Sequence, residues 1–241
     1  MRVFSVTDCG MVRKSNQDAY AHGSFDEHSV WAVVCDGMGG ANGGEIASNT
    51  AVEKMRGILS ASSVGGLSGN SIRNILSSAI AAANIAVFDK SRESESLSGM
   101  GSTVVAAIVR DRSVYIAYAG DSRAYVIGKN GISQITVDHS VVQAMIDRGQ
   151  ITEDEARSHP RRNLITRALG VNEVLDIDYC ECQLEEGDIV LICTDGLSNF
   201  VSDEKLYSLS AEVPAEQLAN VMVDCANENG GGDNITALIV V

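Results

Sequence analysis

The stretch STVVAAIVRDRSVYIAYAGDSRAYVIGKNGISQIT, residues 102–136, decides the fold. It divides into STVVAAIV (102–109), SVYIAYAG (113–120), SRAYVIG (122–128) and GISQIT (131–136), each a strand-like run bounded by turn residues. Asn130-Gly131 is a strong hairpin signal. The four runs are therefore expected to form consecutive antiparallel strands.

Outward from this block, strands and helices segregate. RVFSVTD (2–8) reads as a strand and leads into a polar loop holding Arg13 and NQD (16–18). Val33, Val34 and Cys35 read as a buried strand that surfaces at Asp36, where a glycine-rich turn begins. Residues 45–59 place Ile46, Ala47, Ala51, Met55, Ile58 and Leu59 at helical spacing. A Gly/Ser loop (62–71) separates this helix from a second, with Ile72, Leu76, Ile80, Ala83 and Val87 on one face. The polar segment 91–99 is expected to be mobile, and His22 and His28 are expected in a loop.

Beyond residue 136, DHSVVQAMIDRGQ (138–150) predicts a helix. Thr152 with Glu155 forms a capping-box pattern opening a short helix that Pro160 ends. LDIDYCECQL (175–184), DIVLICTDG (188–196) and NITALIVV (234–241) are strand-like, and a last helix starts at Pro214. Helices come as an early and a late group with runs of strands between, unlike the regular alternation of a doubly wound parallel sheet. The expected class is α+β, with antiparallel sheets and helices packed outside. No boundary divides residues 1–241 into two domains.

Composition narrows the function. Of 241 residues, 45% are hydrophobic, ample for a sizeable core, and two prolines argue against a hinge. Eighteen basic residues against 32 acidic ones give a formal charge of −14, which disfavours nucleic acid as a partner. The six cysteines include no CxxC pair, so free thiols are expected rather than a zinc site or disulfide framework. The start, MRVFSVTDCG, has no apolar run of signal-peptide length, and no 18-residue apolar segment is evident. A soluble, cytoplasmic protein without membrane association is expected.

The chemistry is read from aspartates. VWAVVCDG and DIVLICTDG are two apolar runs that each end in Asp-Gly, at Asp36 and Asp195. Asp121 sits between two strands, Asp233 follows three glycines and precedes the terminal strand, and Asp18 lies in the NQD loop. Singly, each suits a cap or turn. Several carboxylates at one mouth of a core repel one another unless cations neutralise them. If they converge, a two-metal hydrolytic centre acting in-line on phosphorus follows. No nucleotide-binding GxxxxGK[ST] loop is present.

RKSNQD (13–18), DGMGG (36–40), GSTVVAAIV (101–109), AGDSRAYV (119–126), DHS (138–140), RRNLITRALG (161–170), CTDGLSNF (193–200) and GGGDNITALIVV (230–241) occur in one order over nearly the whole chain. Together they resemble the PPM-type (type 2C) metal-dependent protein serine/threonine phosphatases, in their compact bacterial branch. The resemblance implies a four-layer α/β/β/α sandwich, two stacked antiparallel sheets flanked by helix pairs, with a flap subdomain at about 140–165. It implies two magnesium or manganese ions per subunit and a third, weaker one. By position, Asp36 would bridge both metals and the Gly37 carbonyl would bind one. Asp195 and Asp233 would ligate the other, and Asp18 would act mostly through bound water. Asp121, with Asp195, matches the weaker third position.

Arg13 matches the family's phosphate-binding arginine, and its guanidinium fork suits two phosphate oxygens. Asn234 would orient a ligand or a metal-bound water, or else cap its turn. The implied reaction is direct hydrolysis of phosphoserine and phosphothreonine in proteins, opposing serine/threonine kinases. Phosphorylated proteins, including kinases and their substrates, are the implied partners of a monomeric enzyme.

Two departures stand out. Met38 occupies a position where many members outside bacteria have a proton-donating histidine. Ala41 and Asn42 stand where bacterial members often have one. His139 is expected in a structural hydrogen bond, and the proton donor is unassigned. Arg148, Arg157, Arg161 and Arg162 make the flap locally basic. An inactive phosphatase-like binding module and a phosphatase for small phosphoesters are the alternative readings.

Overall fold

The computed structural model describes residues 1–39 and 43–241, so Gly40 of the DGMGG motif, Ala41 and Asn42 lie outside the described residues. The chain runs β1 (Val3–Asp8), β2 (Asp18–Asp26), β3 (Ser29–Met38), α1 (Gly43–Ser60) and α2 (Gly69–Ser91). It continues through β4 (Gly101–Ser102), β5 (Val104–Arg110), β6 (Ser113–Ala119), β7 (Arg123–Gly128) and β8 (Gly131–Gln134). The remainder is α3 (Val141–Asp147), α4 (Glu153–Arg157), β9 (Asp178–Gln183), β10 (Ile189–Cys193), α5 (Asp195–Ser198), α6 (Asp203–Glu212), α7 (Ala215–Glu228) and β11 (Ile235–Val240).

The strands form two sheets, ordered β1-β11-β10-β7-β8 and β2-β3-β5-β6-β9, with β4 on β3. The described pairings are antiparallel, but the 102–136 block is not one run of neighbouring strands: β5 pairs β6 and β7 pairs β8, while β6 and β7 lie in different sheets, the chain crossing between them at Asp121.

Alternation along the strands builds the layers. In β3, Val30, Ala32 and Val34 pack into a core shared with Leu238, Val240, Val190 and Ile192 of the other sheet. Trp31, Val33 and Cys35 point the opposite way, onto Met55 and Leu59 of α1 and Leu76 and Ile80 of α2. In the second sheet Leu191, Cys193, Ala237 and Ile239 face Leu206 of α6 and Leu218 and Met222 of α7. Both faces of both sheets are therefore covered, which is why the inner strands read as continuous apolar runs. Helices, sheet, sheet and helices make the four layers.

Several boundaries differ from the sequence reading. The predicted 138–150 helix shortens to Val141–Asp147, capped by the Ser140 side chain. The capping box at Thr152 and Glu155 is present. The strand expected at 131–136 ends at Gln134, and that expected from 175 begins at Asp178. The β7–β8 hairpin is present, with Gly128 opposite Gly131 and Lys129-Asn130 between them. α6 was not anticipated.

Residues 18–26 form β2, so Asp18 and His22, both expected in loops, are strand residues, whereas His28 does lie in the turn to β3. The strand escapes a pattern search because it alternates weakly and contains Gly23. That glycine is required by packing: a Cβ there would sit 2.7 Å from the Trp31 indole.

α2 also corrects the expectation of no long apolar segment, since it is long and apolar enough by composition to cross a membrane. Its face of Ile72, Leu76, Ala79, Ile80, Ala83 and Val87 is instead buried in the core beneath the β2–β3–β5 sheet. The six cysteines are free; Cys35 and Cys193 are fully buried and the others partly.

Candidate metal centre

The sheets bring the five aspartates toward one edge. Asp18 opens β2 and pairs across the ladder with Asp36 near the end of β3. Asp195 follows β10 as the first residue of α5, and Asp233 immediately precedes the segment that becomes β11, the neighbour of β10. Asp121 occupies the tight turn between β6 and β7.

The glycine after each Asp-Gly aspartate has a packing cause. A Cβ on Gly37 would lie 2.0 Å from the Gly44 carbonyl oxygen, and one on Gly196 would lie 1.9 Å from that of Asn234. Only glycine lets these backbones pass so closely.

The Asp36 backbone is clamped on both sides. Its N–H donates to Thr103 Oγ1 (2.9 Å), while its carbonyl accepts from Thr103 N–H (2.8 Å) and Ser102 Oγ (2.9 Å). Thr103 Oγ1 lies 2.7 Å from Ser122 Oγ, which ties this clamp to the Asp121 turn. Asp18 Oδ2 accepts from Thr236 Oγ1 (2.6 Å) and Thr194 Oγ1 (2.8 Å). Asp195 Oδ2 accepts from Asn199 Nδ2 at 3.0 Å, and Asp233 Oδ2 accepts from Arg13 Nη2 at 2.8 Å.

Crowded carboxylates resist ionisation. Burial, then neighbouring aspartates, hold Asp36 well above the usual carboxylate range, with Asp18 and Asp195 as the nearest negative influences. Burial raises Asp18 to about 7, against the lowering effect of the two threonine hydroxyls. Burial and Asp195 raise Asp121 to about 8, and burial and Asp233 raise Asp195 to about 6. The Asp233 contact raises the Arg13 guanidinium further.

Among the described residues, no three His, Cys, Asp or Glu side chains are grouped as a ready-made metal site. The carboxylates lean on threonine, asparagine and arginine donors instead. Yet Asp18 Oδ1 and Asp195 Oδ1 are buried with no hydrogen-bond partner among the described residues. An anionic oxygen so placed is costly, and two of them among like charges match the all-oxygen donor set that hard divalent cations take. The residues present fit such ions.

Arg13 is half exposed, at the mouth. Its loop is anchored by Asn234, whose Nδ2 donates to the Cys9 and Ser15 carbonyls (2.9 Å each) and whose Oδ1 accepts from Gln17 N–H (2.8 Å). Asn234 is buried with its amide engaged at both ends, so it holds the arginine loop and presents no free group to a ligand.

His139 is structural, as expected. Its Nδ1 accepts from Gly120 N–H at 3.1 Å, its Nε2 lies 3.1 Å from Asp178 Oδ2, and its ring stacks on Tyr118. Sequence reasoning did not single out Thr103, Thr194 or Thr236. Thr194 and Thr236 adjoin the aspartate motifs in CTDG and DNIT, whereas Thr103 in GST adjoins none.

The model of the family described as protein phosphatase 2C matches residues 11–237. The serine/threonine phosphatase stp of Listeria monocytogenes is 34% identical over 235 residues, covering 97% of this chain and 93% of that protein. A crystal structure of a bacterial serine phosphatase bearing an R161K mutation superposes with a TM-score of 0.93 at 33% identity, covering 99% of this chain and 96% of the other. The catalytic domain of the serine threonine protein phosphatase PstP, solved in complex with two manganese ions, has a TM-score of 0.85 at 31% identity, with 99% and 96% covered.

Proposed function

Since the chain belongs to the protein phosphatase 2C family and is a metal-dependent protein serine/threonine phosphatase, we propose that Asp36, Asp195, Asp233, Asp18 and the Gly37 carbonyl hold its metal ions. The observation that carries this assignment is the pair of buried, unpartnered oxygens on Asp18 and Asp195 within a group of carboxylates. Two ions, magnesium or manganese, are proposed, with Asp121 beside Asp195 as a weaker third position. When bound, such ions supply an acidified water and neutralise charge on the phosphoryl group.

The chain's own groups do the rest. Arg13 uses one Nη on Asp233, and among the described residues no other side-chain hydrogen bond engages it, which leaves N–H groups to bind phosphoryl oxygens. Through that contact Asp233 sets the guanidinium over the site. The clamp from Ser102 and Thr103 fixes the Asp36 backbone, and so the point from which its carboxylate would hold the ions. Met38 cannot donate a proton to the leaving alkoxide, and His139 is committed to Gly120 and Asp178. The leaving-group proton is therefore assigned to solvent in the site and not to a side chain of either residue.

We read residues 1–241 as one phosphatase domain with a flap at about 140–165. Phosphoserine- and phosphothreonine-containing proteins, including kinases and their substrates, are its proposed partners, encountered by a cytoplasmic monomer.

The test is hydrolysis of a phosphothreonine peptide by chelator-treated protein with manganese or magnesium added back. Turnover should need the metal and vanish in Asp36→Ala while the circular dichroism spectrum is retained. Normal turnover in that variant refutes the ligand assignment.

A further inference from the structure

Asp18 is held from behind by hydrogen bonds that close into a ring. Thr194 Oγ1 accepts from Thr236 N–H at 2.9 Å, so its own proton is left for Asp18 Oδ2. Thr236 Oγ1, 2.6 Å from the same Oδ2, lies 2.8 Å from Thr7 Oγ1. Thr7 Oγ1 accepts from Asn16 Nδ2 at 2.8 Å, and Asn16 Oδ1 accepts from the N–H of Asp18 itself at 3.1 Å. The last bond fixes which end of the amide faces Thr7. Proton order then has one solution for an ionised Asp18: Asn16 donates to Thr7, Thr7 to Thr236, and Thr236 to the carboxylate. Thr194 and Thr236 are fully buried, and the opposite oxygen of Asp18 is buried without a partner.

We infer that Thr194 and Thr236, aligned by Thr7 and Asn16, are positioning residues that occupy Oδ2 of Asp18 and present Oδ1 as its single oxygen for the metal centre. Two donors on one oxygen pin the carboxylate plane, because turning it to offer both oxygens breaks both bonds. Such outer partners orient a ligand and tune its affinity for metal. The inference rests on the reading of Asp18 as a metal-centre residue.

The experiment is calorimetric titration of manganese into chelator-treated protein, alongside metal-dependent turnover of a phosphothreonine peptide. Asp18→Asn serves as the reference. Thr236→Val removes the hydroxyl at constant shape and should raise the manganese Kd about 10-fold or more. The kcat at saturating metal should fall less than the affinity. Thr236→Ser, which restores the donor, should return the Kd to near the parent value.

A parent-like Kd in Thr236→Val, with Asp18→Asn weakened, overturns the positioning role and leaves the ligand reading standing. A parent-like Kd in Asp18→Asn overturns the ligand reading itself. If Thr236→Val does not fold, Thr7→Val, at an exposed strand position one bond further out, decides the matter. Loss of one hydrogen bond from the relay should raise the Kd about 5-fold, and no change overturns the inference.

Discussion

Replacing Asp18 by Asn should stabilise the metal-free protein while weakening its hold on metal. The Asp18 carboxyl is raised from 3.8 to about 7. Below 3.8 it is protonated in both folded and unfolded chains and contributes no difference. As the pH rises past 3.8 the unfolded chain ionises and the folded one does not, so stability is lost progressively up to about pH 7. At 1.36 kcal/mol per pH unit the full loss is on the order of 4 kcal/mol. Part of it is shared with neighbouring carboxyls that titrate together, so about 2 kcal/mol is the working figure for a single substitution.

Asparagine cannot ionise, and its amide fits the site. Its oxygen can accept from Thr194 and Thr236, and its NH2 then takes the place of the unpartnered Oδ1. In chelator-treated protein the variant should therefore melt ~4–8 °C above the parent at pH 8. The gap should be much smaller at pH 5. Scanning calorimetry with and without manganese is the assay, and added metal should reverse the order at pH 8. A variant no more stable than the parent at pH 8, or a gap equal at both pH values, refutes the claim that Asp18 is destabilised by burial among like charges.

Arg13→Ala removes the exposed guanidinium at the mouth and should raise KM for a phosphopeptide roughly 10- to 100-fold, with a smaller change in kcat; steady-state kinetics at saturating manganese checks this. Asn234→Ala deletes three hydrogen bonds to the 9–17 loop. It should cost about 2–3 kcal/mol in urea unfolding and lower activity through a displaced Arg13. Gly37→Ala places a Cβ 2.0 Å from the Gly44 carbonyl oxygen. A loss of about 3 kcal/mol or failure to fold is expected, read by thermal melting.

Sequence by itself determined the element types over most of the chain and named the aspartates proposed for the site. Strand runs ending in Asp-Gly, and the order of motifs around them, carry both, because local period and turn chemistry are properties of neighbouring residues. β2 was beyond that reach: its weak alternation makes sense only once Gly23 lies against Trp31 across the ladder. α2 was legible as a helix with one apolar face, but what that face packs against is seen only in the fold.

What only the tertiary structure decided is which groups touch the aspartates. Thr194 and Thr236 look like ordinary strand-end threonines. They become the donors to Asp18 because the sheet containing β10 and β11 stacks against β2, bringing together residues 176 and 218 positions apart. Asn234, read as a ligand-orienting group or a turn cap, proved to be the anchor of the Arg13 loop. A side chain's type limits the bonds it can make, but its partners are set by sheet order and stacking, which no local pattern records.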